Sequence, residues 1–177
     1  MYARDLGQPS VPEGLHRMEA QFYTEHLVIQ GEVTSPETRI SDYLNGSAHS
    51  VDIHPVEVRL SSGSVRDLSD TVAHLTKAQV MFVVPTFEPM PSREPTAWSW
   101  YLKYRCWAAV GRFHLTGNVH AENYRDPKLL LRALEQRQFL PFSDAEITHP
   151  DGTVVPHDVV IVNRWHLDML SVPKPRW

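Results

Sequence analysis

Cysteine occurs once in the chain, at Cys106. One thiol closes no intrachain disulfide and builds no multi-cysteine zinc cluster, and this fits a reducing compartment. Glycine is sparse, with eight residues, and the phosphate-cradling loops G-x-G-x-x-G and G-x-x-x-x-G-K-[ST] do not occur. Neither a G-x-S-x-G nucleophile elbow nor an H-E-x-x-H zinc pair is present. No apolar run is long enough to cross a bilayer, and MYARDLGQPSVPEG at the start lacks the apolar core of a signal peptide. Charge of one sign is also missing: 17 Lys and Arg stand against 21 Asp and Glu, for a formal −4. Such a balance gives no global pull towards nucleic acid or an anionic membrane. The expectation is a soluble, cytoplasmic protein with no cofactor, no resident metal and no membrane insertion, for which nucleic acid is an unfavoured partner.

What is present is an ordinary globular composition, 42% hydrophobic and 21% charged over 177 residues. That length makes one domain or two very small ones, and two separate small cores would each be marginal. The chain reads as two similar passages. Leu27–Val33 (LVIQGEV) resembles Phe113–Val119 (FHLTGNV), each a strand pattern with an internal glycine, where a bulge or a close backbone approach is expected. Ser35-Pro36 and Asp126-Pro127 each look like a helix N-cap followed by proline at the first helical position. Ile40, Tyr43 and Leu44 in one passage, and Leu130, Ala133 and Leu134 in the other, share one face of a short helix. Asn45-Gly46 reads as the stop of the first helix.

Further along, VDIHPVEV (51–58) falls against LPFSDAEI (140–147), with Glu57 on Glu146. Asp151-Gly152 marks a tight hairpin. Leu75–Val80 then lies against Val162–Leu167, and both passages close on Val-Pro, at Val84-Pro85 and Val172-Pro173. His16–Tyr23 and Leu102–Ala109 supply a leading strand to each. The predicted fold is α+β and mostly antiparallel. It has two related barrel- or sandwich-like modules, each with one short helix, packed pseudo-symmetrically. The divisions are an extension 1–15, a first module 16–85, a Pro-rich arm 86–99, a second module 100–173 and a tail 174–177. Units this small gain from packing on each other.

Candidate chemistry is thin. Ten histidines are present, and His114 and His120 share a strand face, but metal binding needs three or four converging ligands. Cys106 sits mid-strand after Arg105 and reads as a small buried hydrophobe. Glu57 and Glu146 read as the solvent-facing members of alternating strands rather than an acid pair. Arg39 and Asp42 lie one helical turn apart and read as an ordinary exposed pair. The aromatic stretch 98–107 is the exception. Trp98, Trp100, Leu102, Tyr104 and Cys106 form the expected core face; Tyr101, Lys103, Arg105 and Trp107 form an amphipathic one. Trp98, Trp100, Tyr101, Arg105 and Trp107 are the candidate interaction residues, because Trp, Tyr and Arg are enriched at interface hot spots. No catalytic residue is nominated.

The run R-x-S-D-Y-L-N (39–45), the strand V-D-I-H-P-V-E-V and, in the second passage, F-L-P-F-S-D-A-E-I and V-I-V-N-R-W-H-L (160–167) resemble a group of uncharacterised bacterial proteins. That group is built from one or two copies of a small, mostly β module. The resemblance covers most of 16–172; the helix motif is kept only in the first copy and the Asn-Arg motif only in the second. It implies the module fold and carries no functional residues. V-N-R-W-H-L also resembles the end of Sm-like barrels, which would imply rings or RNA binding. Two functions are therefore expected. One is a non-enzymatic binding or scaffold protein, assembling with itself or a protein partner through β-edges and the aromatic Pro-rich arm. The other is a small-molecule sensor or enzyme with a pocket between the modules, near His114, His120 or Asp42.

Overall fold

The computed structural model describes residues 11–89, 101–122, 124 and 126–173. Among them the chain runs β1 (His16–Tyr23), β2 (Leu27–Ser35), α1 (Ile40–Asn45), β3 (Ser50–Leu60), β4 (Val65–Arg66), β5 (Ala73–Thr76) and β6 (Phe82–Phe87). It continues as β7 (Leu102–Val110), β8 (Phe113–Ala121), α2 (Pro127–Leu134), β9 (Phe139–Thr148), β10 (Val154–Asn163) and β11 (Leu167–Ser171). Single 3-10 turns, Lys77–Gln79 and Arg164–His166, precede β6 and β11. The fold is a β-rich α+β fold in which every strand pairing among the described residues is antiparallel.

Among the described residues, eleven strands join in the order β11-β7-β8-β9-β10-β6-β1-β2-β3-β4, with β5 also on β3. Within the first half, β6 lies beside β1, then come β2 and β3, and the β4/β5 arm closes the row. Within the second half, β11 lies beside β7, followed by β8, β9 and β10. Ala20 faces Gly31 across β1–β2, and Cys106 faces Gly117 across β7–β8. The ladder slips beside both glycines. Gln30 faces Glu57 but Gly31 faces Pro55, and Thr116 faces Glu146 but Asn118 faces Ser143. A Cβ at Gly117 would lie 3.0 Å from Phe142 Cβ and 3.2 Å from Ala145 Cβ, so the glycine admits the close approach that its strand position suggested.

The turns follow local chemistry. Gly152 takes φ 86 at the β9–β10 hairpin, and the Asp151 carboxylate accepts from Thr153 N at 2.9 Å. Asp126 caps α2, accepting from Lys128 N, with Pro127 at the first helical position. Leu130 and Leu134 are buried beneath α2, as Ile40 and Leu44 are beneath α1. The start of α1 differs from expectation. Ser35 ends β2, and its hydroxyl accepts from Glu37 N at 3.1 Å in a turn before the helix. The helix begins only at Ile40, after Arg39, without a side-chain cap. Instead Glu88, from beyond β6, accepts from Ile40 N at 2.6 Å.

Two cores lie along the sheet, and each borrows from the other half. The first holds Met18, Phe22, Ile29, Ile40 and Ile53 together with Phe139 and Ile161 from the second half. The second holds Cys106, Phe113, Leu115, Phe142 and Val160 together with Met81, Phe82 and Val84 from the first. The expected core face of β7 starts later than its alternation implied. Cys106, Ala108 and Val110 are buried, but Leu102 is 47% exposed, because it lies at the strand end beyond the core. Among the described residues, no helix is long and apolar enough to cross a membrane.

Candidate binding surfaces and the cleft between the halves

The joint between the halves is a short edge-to-edge pairing: Val83 faces Ile161 and Phe82 faces Val162. It is pinned by Asn163, which has no exposed surface. The Asn163 side-chain amide donates to Val80 O at 2.7 Å and Lys77 O at 3.1 Å. Its backbone N–H donates to Met81 O at 2.9 Å, and its side-chain carbonyl oxygen accepts from Trp165 N at 3.1 Å. His166 Nε2 lies 2.7 Å from Ala78 O; since a carbonyl only accepts, Nε2 carries the proton there. The 3-10 turns are anchored alike, Lys77 N to His49 O at 3.0 Å and Arg164 N to Gln138 O at 2.8 Å. In both cases the acceptor sits just before the third strand of its half. Lys77, also buried, donates to Gly46 O at 2.9 Å and Tyr43 O at 3.3 Å and so closes the end of α1.

Neither end of the sheet has such a partner among the described residues. Among the described residues β11 pairs only with β7, and β4 and β5 only with β3. Large apolar side chains stand exposed at both ends: Val72 at 60% ahead of β5, and Met169 at 53% in β11. Unpaired strand edges that carry apolar groups are sites for pairing with another chain.

Of the residues nominated from sequence, Trp98 and Trp100 lie outside the described residues. Tyr101 is exposed just before β7. Arg105 Nη1 donates to Asp144 O at 2.8 Å, and Arg105 Nη2 lies 3.8 Å from Glu146. Trp107 is half-buried against His114, with ring centroids 5.3 Å apart. Glu57 pairs with Arg59 of its own half at 2.9 Å, so the two glutamates serve separate surfaces. Cys106 donates to Tyr104 O, and burial pushes its thiol up to about 11, where a thiolate is not populated at neutral pH.

Asp144 carries a role that no sequence motif nominated. It takes φ 47, the only non-glycine in the left-handed region among the described residues, a conformation Asp tolerates better than most residues. Its carboxylate accepts from Lys103 Nζ at 3.2 Å and Asn118 Nδ2 at 2.9 Å, and these bonds hold its pKa below the usual carboxylate range. The polar doublet Ser143-Asp144, which breaks the alternation of FLPFSDAEI, was the available signal for this bulge.

Beside Asp144 a cleft of about 540 Å³ opens between the halves. Arg39, Ser41 and Glu88 line it from the first half; Tyr101, Lys103, His120 and Ser143 line it from the second, over a floor of Pro141, Val159 and Ile161. His120 Nε2 lies 2.8 Å from Ser143 Oγ. Burial, aided by Lys103, lowers the His120 pKa against the opposing pull of Asp144, so the imidazole is neutral at pH 7. Burial raises the Glu88 pKa. His114 and Asp42 do not line this cleft; of the three residues nominated for an inter-module pocket, it gathers His120 alone. Among the described residues no group of three or more His, Cys, Asp or Glu could hold a metal ion. No protein-family model matches the chain, and neither the curated proteins nor the solved structures compared with it contain a match.

Proposed function

We propose that this chain is a non-enzymatic scaffold made of two related β-rich modules, residues 16–85 and 100–173, which assembles with itself or with a protein partner through its strand edges. Kinship of the halves is supported by their common strand order, by the paired positions Ala20–Gly31 and Cys106–Gly117, and by the ladder slip beside both glycines. The equal anchoring of the 3-10 turns supports it as well. The Val-Pro endings fit less well. Val84 faces Gln21 and Ser171, rather than Val172, faces Trp107, so that match runs one residue out of step.

The observation that carries the assembly reading is the pair of open, apolar sheet ends, built from the same kinds of strand that meet at the internal joint. Trp107, opposite Ser171 of β11, would extend the contact there, whereas Tyr101 lines the cleft and Arg105 reaches across to β9. Light scattering over a range of concentrations, with an affinity pull-down from the native cytoplasm, tests it. A strict monomer that captures no partner would remove the reading.

A second reading is favoured by the cleft, whose volume and mixed lining suit a small molecule. Serine and histidine at 2.8 Å have the spacing of a nucleophile and its base. A fragment screen by NMR, repeated on His120→Ala, would show shifts confined to residues around His120 and Ser143 if this reading holds. Random or absent shifts would dismiss it.

A further inference from the structure

Resting on the self-assembly reading, we infer that a second copy of this chain is the partner, and that it docks head to tail by repeating the internal joint. The β5 edge of one copy would pair with the β11 edge of the next.

Inside the molecule, the last strand but one of one half (β10) meets the last strand of the other (β6). That contact is heterologous: two different edges meet, and the edge each half offers to the other is not the one it keeps. What remains unpaired among the described residues is the complementary set, the edge of the last strand but one of the first half at β5 and the edge of the last strand of the second at β11. A heterologous contact between identical units repeats, as a ring if the rotation closes and as a filament if it does not.

The register follows from equivalent positions. His74 and Leu75 stand in β5 where Ile161 and Val162 stand in β10. Leu170 and Met169 stand in β11 where Val83 and Phe82 stand in β6. The internal pairs Ile161–Val83 and Val162–Phe82 therefore translate into His74 beside Leu170, and Leu75 beside Met169, across copies.

Burial agrees with this translation. Phe82 is 2% exposed in the joint, whereas its counterpart Met169 is 53% exposed; Val159 is half-buried, whereas its counterpart Val72 is 60% exposed. The outer edges carry the apolar groups of the joint without its cover. Two departures set the strength. Thr76 replaces Asn163, so the paired amide bonds across the seam are lost, and His74, held by Asp52 at 2.7 Å, replaces a buried isoleucine. The contact between copies is therefore weaker than the internal one and depends on concentration.

Cross-linking tests both register and polarity. The single native thiol is buried and protonated, so only introduced cysteines react. Residues directly opposite in an antiparallel pair have Cβ atoms about 4.5–5.5 Å apart, closer in the narrow pairs. Two double variants, His74→Cys with Leu170→Cys and Leu75→Cys with Met169→Cys, cover both pair types. The full chain carrying one of these pairs is expected to give a ladder of covalent oligomers on a non-reducing gel, while each single variant gives none. Val72→Lys with Met169→Lys, both at exposed positions, should lower the association constant at least tenfold with the circular dichroism spectrum unchanged. A dimer cross-linked through His74→Cys alone would mean like edges meet, which overturns the head-to-tail register and leaves self-assembly standing. An oligomeric chain that forms no ladder and ignores the lysines overturns the register in the same way. A monomer at every concentration with no ladder overturns both.

Discussion

Asn163 holds the seam because its amide reaches two carbonyls at once, and one of them belongs to Val80, a residue with no exposed surface. Asn163→Ala leaves that buried acceptor unpaired at a cost of about 1–3 kcal/mol, and urea denaturation should show a loss in that range. Glu88 gives a pH-dependent counterpart. Burial raises its folded pKa, so its contribution to stability is fully present below the unfolded carboxyl pKa and fades as pH rises through the raised folded value. Glu88→Gln keeps an acceptor for Ile40 N without the charge. The variant should therefore gain on the native protein as pH rises from about 4 to 7, in paired denaturation curves; a constant difference would show that Glu88 does not titrate differently in the two states. Neither residue was legible in the sequence. Asn163 meets Lys77 across 86 positions and Glu88 meets Ile40 across 48, and no local pattern encodes such partners. Cys106 was legible, because strand alternation alone places it inside.

Elements were readable where one residue settles the local geometry. Asp151-Gly152 needs only its own turn, and Asp126-Pro127 satisfies the first amides of α2 from within the helix. Asp126→Ala should cost about 1 kcal/mol, read as a lower urea midpoint with unchanged slope. Ser35-Pro36 carries the same local signal but ends a strand. There the serine hydroxyl serves Glu37 N, and the helix takes its acceptor from Glu88 instead, a tertiary contact overriding a local one. Lys77 works the other end of α1 from 31–34 positions away. Lys77→Met should therefore destabilise by about 1–3 kcal/mol, since Gly46 O loses its buried donor; a neutral result would mean that water replaces the ammonium. Ser143-Asp144 puts two polar residues in a row inside a strand pattern that otherwise runs through it, and only the slipped ladder marks the break.

The whole molecule depends on what each half places in the other. Phe139 and Ile161 fill the first core, and Met81, Phe82 and Val84 fill the second, so a cut between the halves opens a hole in both. Replacing one such side chain, Phe82→Ala, should cost about 3–5 kcal/mol, and because each core still depends on side chains from the other half the protein should unfold in one transition. Sequence periodicity marked most of the strands along the chain, but neither their full order in the sheet nor this exchange, since alternation marks a side chain as buried without naming the core that receives it. The exchange makes a sharper demand on separate fragments. Residues 1–89 and 90–177, expressed apart, should each lack the dispersed amide spectrum of a folded protein and recover it when mixed, because every borrowed side chain is then restored. A fragment that folds alone would mean that its own apolar surface suffices. The seam would then be a docking contact between independent modules rather than a condition for their folding.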